Sequence, residues 1–446
     1  MDQAGLTFDA RDEFERKGIA EKIISLLKAG INISPMIIDG GWGVGKSEFC
    51  HKLIDLLKSN NENHLIYIDA FKADHANEPL MTVLAKVVKL IPDEKNKEAF
   101  IKKALPAVRY GLKTIAKAGV SHLLRQDVAD VVDDFNKDIQ KVADKTITAA
   151  VESALQDHID ADDNLTNLQT ALKEISTNRP IIVFIDELDR CRPDFSVDML
   201  ETIKHVFDVD GVSFVLITNT LQLKASIKHC YGLDTENARR YLDKFVKFTL
   251  TLPERVFSER YETSIAAVDH YKNLVSNSHL LQDYDLCGQY LIITVEQLVL
   301  ANNLSLREME SIVRHIEIYV ILKNDYLKAR GFGFLLLRIF AIVMYTIAPE
   351  LAKTIVDKKL DSKLLGDFVG ISNLPPLGEI RVVNTEVICF VLSKSAKFST
   401  NLFSPAENEL EAWERETKEY FNGAYFDNDN DYSEIFSNVI KTLQMC

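Results

Sequence analysis

The sequence predicts an α/β fold with a mostly parallel sheet that is covered by helices on both faces. Short apolar segments typical of buried strands alternate with segments of helical periodicity, and the first apolar segment runs directly into a glycine-rich turn. The strand segments are MIID (36–39), LIYIDAF (65–71), PIIVFID (180–186), VSFVLITN (212–219) and FVKFTLTLP (245–253). Helices are expected over 9–29, 46–59, 194–207 and 220–230, and a polar loop follows the last of them.

Changes in composition divide the 446 residues into five segments. They are the first half of the α/β core (1–74), a helical insertion (75–178), the second half of the core (179–255), a helical lid (256–350) and a small C-terminal module (351–446). The lid is expected to be helical throughout, because helical periodicity continues to about residue 350. Two β-branched segments, EIRVV (379–383) and EVICFVL (386–392), predict short strands in the C-terminal module.

The composition excludes several classes of protein. Hydrophobic residues make up 47% and charged residues 26% of the chain, which excludes global disorder. The net charge of −14 argues against a general nucleic-acid binder. Six cysteines without a CxxC pair predict free thiols in a reducing compartment. The charged N-terminal residues lack the apolar region of a signal peptide, so we expect a cytoplasmic protein.

One segment competes as a membrane span, FGFLLLRIFAIVMYTIAP at 332–349. Arg338 lies near the middle of this segment, where an unpaired charge is costly in a bilayer. We therefore expect a buried helix of a helical domain at this position, and no stable membrane insertion.

Charge is segregated within the helical insertion. Residues 102–125 carry six basic residues and no acid, whereas residues 127–163 carry eleven acids and three lysines. The acidic half has an amphipathic seam of Val128, Val132, Phe135, Ile139 and Val142. The complementary charge and the seam predict two helices that pack on each other. A membrane-surface or nucleic-acid role for the basic helix is the alternative.

Residues 40–47, GGWGVGKS, match the phosphate-binding pattern GxxxxGK[ST] in full, with a strand before them and a helix after them. Glycines let successive backbone N–H groups turn toward a phosphate, and the helix N-terminus adds its dipole. Lys46 is expected to reach the β- and γ-phosphates, and the Ser47 hydroxyl to bind Mg²⁺. The predicted nucleotide-binding residues are Gly41, Trp42, Gly43, Val44, Gly45, Lys46, Ser47 and Glu48.

The second half of such a site is an apolar strand that ends in an acid, and IIVFIDELDR (181–190) supplies it. Asp186 is expected to hold Mg²⁺ through water, and Glu187 to act as the general base that polarises the attacking water. The alternative for Glu187 is a strand-end acid with no part in the chemistry. Asp189 and Arg190 are expected to brace the loop by pairing with each other or with neighbours.

Further polar residues suit recognition of a γ-phosphate. Asn219 ends the strand that should lie between the two core halves, either as a sensor of the γ-phosphate or as a helix N-cap. Arg239 and Arg240 precede the last core strand, either as arginine fingers for a neighbouring subunit of a homo-oligomer or as surface residues. Arg307 lies in the first turn of a lid helix, where it either reaches back to the nucleotide or is solvated.

Several of these segments together resemble the KAP P-loop NTPases over residues 10–320. The segments are GGWGVGKSEF, YIDAFKADHANEPL, FIDELDRCRPDFSVDMLETIKHVFDVDGVSFVLITNT, YLDKFVKFTLTLP and NLSLREME, the last with an S-x-x-E capping box at Ser305 and Glu308. The resemblance implies an ATPase core related to STAND and AAA proteins, with a helical insertion between Walker A and Walker B. Many members carry transmembrane helices in that insertion, but the corresponding stretch here, 102–124, has too many charges to span a bilayer.

These observations predict an Mg²⁺-dependent enzyme that hydrolyses ATP to ADP and phosphate to power or gate a protein partner. The resemblance implies a partner encoded nearby and a role in bacterial anti-phage defence. ATP is favoured over GTP, because the stretch closest to a guanine-specific NKxD motif has Ile139 in place of its aspartate. A signalling switch whose turnover is incidental is the main alternative. A nucleic-acid-stimulated motor is a second alternative, which the net charge of −14 disfavours.

Overall fold

The computed structural model describes residues 6–76, 78–101, 103–104, 165–177, 179–257, 263–323, 327, 331–376, 384–393, 402–421 and 432–445. The chain forms two compact units. Unit 1 comprises Met1–Arg11, Lys17–Gly40 and Lys46–Leu252, and unit 2 comprises Asp12–Arg16, Gly41–Gly45 and Pro253–Cys446.

Unit 1 contains a five-stranded sheet in which every strand runs parallel to its neighbours. The strands are β1 (Met36–Asp39), β2 (His64–Asp69), β3 (Ile181–Asp186), β4 (Val212–Thr218) and β5 (Phe248–Thr251), in the spatial order β2-β3-β4-β1-β5. The predicted α/β fold with a mostly parallel sheet is therefore confirmed, and β4 lies between β3 and β1 as expected.

Both faces of this sheet are buried, because successive residues of a strand point to opposite faces and both sets are apolar here. In β1, Ile37 packs in one hydrophobic cluster, whereas Met36 and Ile38 pack in another. In β3, Ile185 and Phe184 are divided in the same way. All six residues of β3 are buried, so the polar residue at its end, Asp186, is fixed by the packing of the strand.

Helices connect the strands of unit 1. They are α1 (Lys17–Lys28), α2 (Lys46–Asn60), α3 (Ala70–Ala73), α4 (Pro79–Val88), α5 (Pro193–Val206), α6 (Thr220–Tyr231) and α7 (Thr235–Leu242). Residues 94–101 and 165–176 are also helical, so the described parts of the predicted insertion are mainly helical. Apart from residues 103 and 104, the charge-segregated halves over 102–125 and 127–163 lie outside the described residues.

Helix α7 lies where the sequence predicts a polar loop. Its N-cap residue Asp234 accepts a hydrogen bond from the Asn237 N–H at 2.7 Å. Of its eight residues, Ala238 and Leu242 are buried. Hydrophobic periodicity does not identify a helix from one buried pair of residues four positions apart. For this reason the helix was not predicted from the sequence.

Unit 2 is mainly helical and also contains an antiparallel two-stranded hairpin. Its helices are α8 (Ala266–Asn277), α9 (Gln289–Asn302), α10 (Leu306–Lys323), α11 (Phe332–Ile347), α12 (Pro349–Val356), α13 (Ser362–Val369), α14 (Asn384–Ser393), α15 (Leu410–Tyr420) and α16 (Tyr432–Leu443). The hairpin strands are β6 (Arg255–Phe257) and β7 (Thr263–Ile265). The expectation that the lid is helical throughout is therefore wrong at its start, where three-residue strands are too short to show an alternating pattern.

The predicted strand EVICFVL (386–392) is helical and forms most of α14, so that prediction is wrong. Every residue of α14 except Glu386 is buried. When a segment is buried on all sides, its sequence is a continuous apolar run, and periodicity cannot separate a buried strand from a buried helix. The neighbouring predicted strand EIRVV (379–383) lies outside the described residues.

Helix α11 is the apolar segment that the sequence assigns to the interior of a helical domain. Eleven of its sixteen residues are buried, including Arg338, whose guanidinium carbon lies 5.9 Å from the centre of the Phe334 ring. Of the helices that the structure describes, none is long and apolar enough to cross a membrane.

We expect Cys230 and Cys287 to be the fast-reacting thiols among the five described cysteines when the native protein is treated with DTNB. Both are exposed, whereas Cys50, Cys191 and Cys389 are buried. Burial raises the pKa of all five thiols, so the expected difference in rate rests on exposure to the reagent. A Cys230→Ser/Cys287→Ser protein should lose two equivalents of fast-reacting thiol.

The matched control for this experiment is a Cys50→Ser/Cys389→Ser protein. It should keep the wild-type fast phase and lose two equivalents from the phase that follows denaturation. Any contribution from Cys446 is common to all these proteins. Fast labelling of Cys389 in the native protein would contradict the burial of α14.

Candidate functional site

The carboxyl ends of four strands bring polar side chains to one edge of the sheet in unit 1. β1 ends at Asp39, β2 at Asp69, β3 at Asp186 and β4 at Thr218. Asp69 is directly paired with Asp186 in the sheet, and Asp39 with Thr218. In open parallel sheets, ligands bind at this edge.

The Asp186 carboxylate is held at this edge by three hydrogen-bond donors. Its Oδ2 accepts a bond from the Tyr67 hydroxyl at 3.1 Å, and its Oδ1 accepts one from the Glu187 N–H at 2.8 Å. The Ser47 hydroxyl also bonds to this carboxylate. Asp186 is 1% exposed, and burial raises its pKa, whereas the three hydrogen bonds oppose the shift. The two residues predicted to bind Mg²⁺, Ser47 and Asp186, are thus in contact.

Lys46 begins α2, and its Nζ donates a hydrogen bond to the Gly40 carbonyl at 2.8 Å. Burial lowers the pKa of Lys46. The negative charges of Asp189, Asp186 and Asp39 oppose that shift and favour the ammonium form. The predicted phosphate-binding cation therefore lies within electrostatic reach of the acids that end β1 and β3 and of Asp189, which follows β3.

Glu187 has a left-handed backbone conformation, with φ at 60° and ψ at 27°. This region is costly for residues other than glycine and clusters at functional sites. Its carboxylate is 2.8 Å from a guanidinium nitrogen of Arg190. Burial raises the pKa of Glu187, and the Arg190 charge opposes the shift. The candidate general base is therefore held in an ion pair on the turn that follows β3.

Two further hydrogen bonds join the strand ends. The Thr218 hydroxyl donates to Asp189 Oδ1 at 3.2 Å, where both residues are buried. The Thr220 N–H donates to Asp39 Oδ1 at 2.8 Å. Asp189 and Arg190 therefore pair with neighbouring residues, which is one of the two pairings that the sequence left open.

Two other predicted site residues of unit 1 have local partners. Asn219 is the N-cap of α6, and its side-chain oxygen accepts a hydrogen bond from the Leu221 N–H at 3.0 Å. Glu48 lies in the first turn of α2 and is 2.7 Å from the Lys52 ammonium. A sensor role for Asn219 stays a prediction.

Arg239 and Arg240 are exposed and lie on α7. Arg239 donates two hydrogen bonds to Glu236, at 2.7 and 3.1 Å, and Arg240 donates one at 3.3 Å. Surface pairs of this kind contribute little stability. The two guanidinium groups therefore remain accessible for another role.

Residues 41–45 of the phosphate-binding loop pack with the start of α10 in unit 2. Gly43 and Gly45 have φ values of +79° and +84°, which only glycine adopts without strain. The Gly43 carbonyl accepts a hydrogen bond from the Leu306 N–H at 3.1 Å. A Cβ atom placed on Gly43 would lie 2.8 Å from the Ser305 Cβ and 3.2 Å from the Arg307 Cβ. The first turn of α10, which carries the predicted Arg307, is therefore in contact with this loop.

The capping box predicted at the start of α10 is confirmed. The Ser305 N–H donates to Glu308 Oε2 at 2.7 Å, and the Glu308 N–H donates to the Ser305 hydroxyl at 3.4 Å. A cavity of about 580 Å³ in unit 2 lies beside this turn. It is lined by Gly41, Trp42, Gly43, Val44 and Arg307, together with apolar residues of α8 and α9.

Two residues that contact the site were missed by the sequence prediction. Arg16 is 4% exposed, and it donates hydrogen bonds to the carbonyls of Val44 and Pro253, each at 2.9 Å. Tyr67 holds Asp186, as described above. Arg16 lies in a charged stretch where no motif marks it, and Tyr67 is one aromatic residue of an apolar strand. The sequence could have indicated Tyr67 by its polar hydroxyl, which stands at the third-last position of a buried strand.

Comparisons with known proteins identify what this chain is similar to. A family model described as the KAP family P-loop domain matches residues 16–322. The chain is also 21% identical over 261 residues to the phage T7 exclusion protein of Escherichia coli strain K12. That alignment covers 54% of this chain and 33% of the relative. The chain therefore spans about one third of the length of that relative.

We expect Gly43→Ala to destabilise the nucleotide-free protein and Gly41→Ala to be tolerated. Alanine at position 43 adds strain at a positive φ and places its Cβ 2.7 Å from the Ser305 Oγ. At position 41 the nearest atom is the Val44 Cγ1 at 3.8 Å, an ordinary contact. Thermal unfolding should show a clear fall in Tm for Gly43→Ala. The free energy of unfolding should fall by about 1–3 kcal/mol. Equal unfolding midpoints for the two variants would contradict the contact with α10.

Proposed function

The chain belongs to the KAP family of P-loop NTPases, and from this premise we propose that it binds MgATP and hydrolyses it to ADP and phosphate. The observation that carries the proposal is the contact of Ser47 with Asp186 at the carboxyl edge of the sheet. The two residues are 139 positions apart in the sequence, as 186 − 47 = 139, yet they combine a hydroxyl and a carboxylate in one place. Mg²⁺ prefers such oxygen ligands and takes its remaining ligands from phosphates and water.

Lys46 and the loop before it bind the phosphates in this proposal. The ammonium, which donates to the Gly40 carbonyl in the structure, exchanges that partner for β- and γ-phosphate oxygens. Ser47 and Asp186 would hold Mg²⁺, which would supply charge neutralisation at the phosphates. Burial disfavours the charged form of Asp186, as its raised pKa indicates. A cation beside the carboxylate would offset that cost, which suits Asp186 to this task.

Glu187 is the proposed general base. Its raised pKa makes its carboxylate a better proton acceptor than an ordinary glutamate. Its ion pair with Arg190 must open before it can polarise a water molecule. The left-handed backbone places the Glu187 side chain on a turn immediately after Asp186, the proposed Mg²⁺-binding residue. This position suits a residue that polarises the water attacking the γ-phosphate.

A cavity in unit 2 adjoins Gly41, Trp42 and Gly43 of the phosphate-binding loop, and its volume of about 580 Å³ is in the range of small-ligand sites. Arg307 lines this cavity and is the proposed lid residue that contacts the nucleotide.

The proposed purpose of hydrolysis is to power or gate a protein partner in a phage-defence complex. The similarity to the phage T7 exclusion protein supports this role. Because the chain spans one third of that relative, the partner and the trigger are matters for experiment, and a pull-down from the native host is the direct approach.

A signalling switch with incidental turnover is the second candidate function. The ion pair of Glu187 with Arg190 favours it, because an engaged base makes basal hydrolysis slow. A low single-turnover rate that rises when the partner is added would support the switch, whereas a high rate for the isolated protein would support a constitutive ATPase.

We expect Lys46→Ala to weaken MgATP binding by about 10–100-fold, because it removes a charge-assisted contact to the phosphates. Glu187→Gln should keep MgATP binding and lower turnover by about 10²–10⁴-fold, the contribution of a general base. Asp186→Asn should lose the Mg²⁺ dependence of ATP binding. Isothermal titration with and without Mg²⁺ measures the binding, and phosphate release measures the turnover.

Lys58→Ala is the matched control, because Lys58 is an exposed lysine of the same helix α2. It should bind and hydrolyse MgATP like the wild type. Wild-type turnover by Glu187→Gln would refute the assignment of the base.

We also propose that Arg239 or Arg240 completes the site of a neighbouring subunit, since both guanidinium groups are exposed on α7. A mixture of Lys46→Ala with Arg239→Ala/Arg240→Ala protein should then recover ATPase activity that neither has alone, because one intact loop meets one intact arginine pair. The effect should be large, since an arginine finger contributes about 10³–10⁵ in rate.

A mixture of Lys46→Ala with Glu187→Gln is the control and should stay inactive, because no combination of the two restores one complete site. A monomer by light scattering in the presence of ATP, with a specific activity independent of protein concentration, would overturn the shared site and leave both arginines as surface residues.

A further inference from the structure

We infer that Arg16 is a positioning residue that sets the phosphate-binding loop in the conformation that receives an anion. This inference rests on the proposed function for its meaning, but its structural part can be tested without nucleotide. It concerns the peptide groups of residues 43–45, which lie in unit 2 with Arg16.

The peptide groups that follow Gly43 and Val44 are both held through their carbonyl oxygens. In a trans peptide, the carbonyl of one residue and the N–H of the next point in opposite directions. The Gly43 carbonyl is held by the Leu306 N–H at 3.1 Å, and the Val44 carbonyl by an Nη of Arg16 at 2.9 Å. Each bond therefore directs the following N–H, of Val44 and of Gly45, away from the group that holds the carbonyl.

Two successive carbonyls held in this way leave two successive N–H groups directed away from Leu306 and Arg16. Successive N–H groups on one concave side of a loop form an anion-binding nest. Arg16 is close to this nest, since its Nη1 would lie 3.2 Å from a Cβ placed on Gly45. A side chain at position 45 is thus excluded both by the guanidinium and by the positive φ of +84°.

Arg16 is itself held by groups other than the Val44 carbonyl. Its second Nη donates to the Pro253 carbonyl at 2.9 Å, and its guanidinium carbon lies 4.8 Å from the centre of the Phe14 ring. Its backbone N–H donates to Asp12 Oδ1 at 2.8 Å. A planar guanidinium with donors in fixed directions suits two carbonyls better than a single ammonium does.

The segment that carries Arg16 is anchored to helix α8 by a second set of contacts. Glu13 Oε1 is 2.9 Å from His270 Nδ1, and Glu13 Oε2 accepts a hydrogen bond from the Asn273 amide at 3.1 Å. Residues 12–16 are therefore attached at one end to α8 and at the other to the Val44 carbonyl. Residues 12–16 therefore hold the loop in place by contacts from outside it.

Trp42 provides a readout of this arrangement without nucleotide. The chain has two tryptophans, and Trp42 is 54% exposed whereas Trp413 is fully buried. Trp42 precedes the held peptide groups, so its mobility and its access to a quencher should rise when Arg16 is removed. Proteins that also carry Trp42→Phe supply the Trp413 signal for subtraction.

The experiment compares Arg16→Gln, Arg16→Lys and Lys17→Gln. Lys17 is the matched control, because it is the next cation in the chain and its described partner, Asp9, is a surface residue. Arg16→Gln should raise acrylamide quenching of Trp42 and weaken MgATP binding at least about tenfold, as expected for loss of bonds from a charged donor. Arg16→Lys should fall between Arg16→Gln and the wild type, and Lys17→Gln should match the wild type in both measurements.

Chemical rescue separates positioning from general stability. Ethylguanidinium added to Arg16→Ala should lower the quenching of Trp42 and tighten MgATP binding toward the wild type, whereas ethylammonium should do so less. A role confined to stability would lower Tm and leave the affinity of the folded protein for MgATP unchanged.

Each outcome decides between the inference and the proposed function. Wild-type quenching of Trp42 in Arg16→Gln overturns the inference, whatever happens to binding. Increased quenching with an unchanged affinity for MgATP overturns its link to the anion nest. Increased quenching in a chain whose wild type does not bind MgATP supports the effect of Arg16 on the loop and refutes the proposed function.

Discussion

The parallel direction of the strands is the constraint on which the rest of unit 1 depends. It brings the carboxylates of Asp39, Asp69 and Asp186 to one edge of the sheet, where their charges repel each other and are partly removed from water. Donors therefore surround them: the Thr220 N–H at Asp39, and the Tyr67 hydroxyl and Ser47 at Asp186. The acidic edge also favours the protonated form of the half-buried Lys46 against the effect of burial, so the cation and the acids of the candidate site stabilise each other.

Glu187 is the one acid of this region whose local structure is costly. Its left-handed backbone carries strain of the kind found at functional sites, and its ion pair with Arg190 must open before the proposed base can act. The same turn also carries Asp189, whose side chain is buried and bonded to the end of β4. The end of β4 is therefore joined to the turn that carries the proposed base by one hydrogen bond and a short stretch of chain.

The sequence was most informative where residue type and local structure agree. The apolar strand MIID, the glycines and the Lys46-Ser47 pair predict a strand, a turn and a helix that need no distant contact to be identified. The end of β3 at Asp186 was predictable for the same reason. Helix α14 was not, because an apolar run that is buried on all sides has the same sequence pattern in a strand and in a helix.

The contacts of Arg16 were unpredictable for a different reason. Its partners, the carbonyls of Val44 and Pro253, are backbone atoms. Every residue has a backbone carbonyl, so the residue types in the sequence do not indicate which carbonyl is a partner. The Leu306 N–H that holds Gly43 is invisible in the same way. Apart from Tyr67, the side chains of the candidate site could be predicted from the sequence, whereas the backbone groups that hold the loop were found only in the structure.

The bond from Leu306 to Gly43 has a consequence for biosynthesis. The two residues are 263 positions apart, as 306 − 43 = 263, so the contact is strongly non-local and its closure is slow compared with the formation of the helices around it. During vectorial synthesis, the Gly43 carbonyl gains this partner after α10 has left the ribosome, when more than two thirds of the chain has been made. Nascent chains that end before α10 carry the complete phosphate-binding motif in their sequence but lack the helix that orients it. The contact that orients the loop therefore forms late in translation, once α10 has been made, and does not wait for the rest of unit 2.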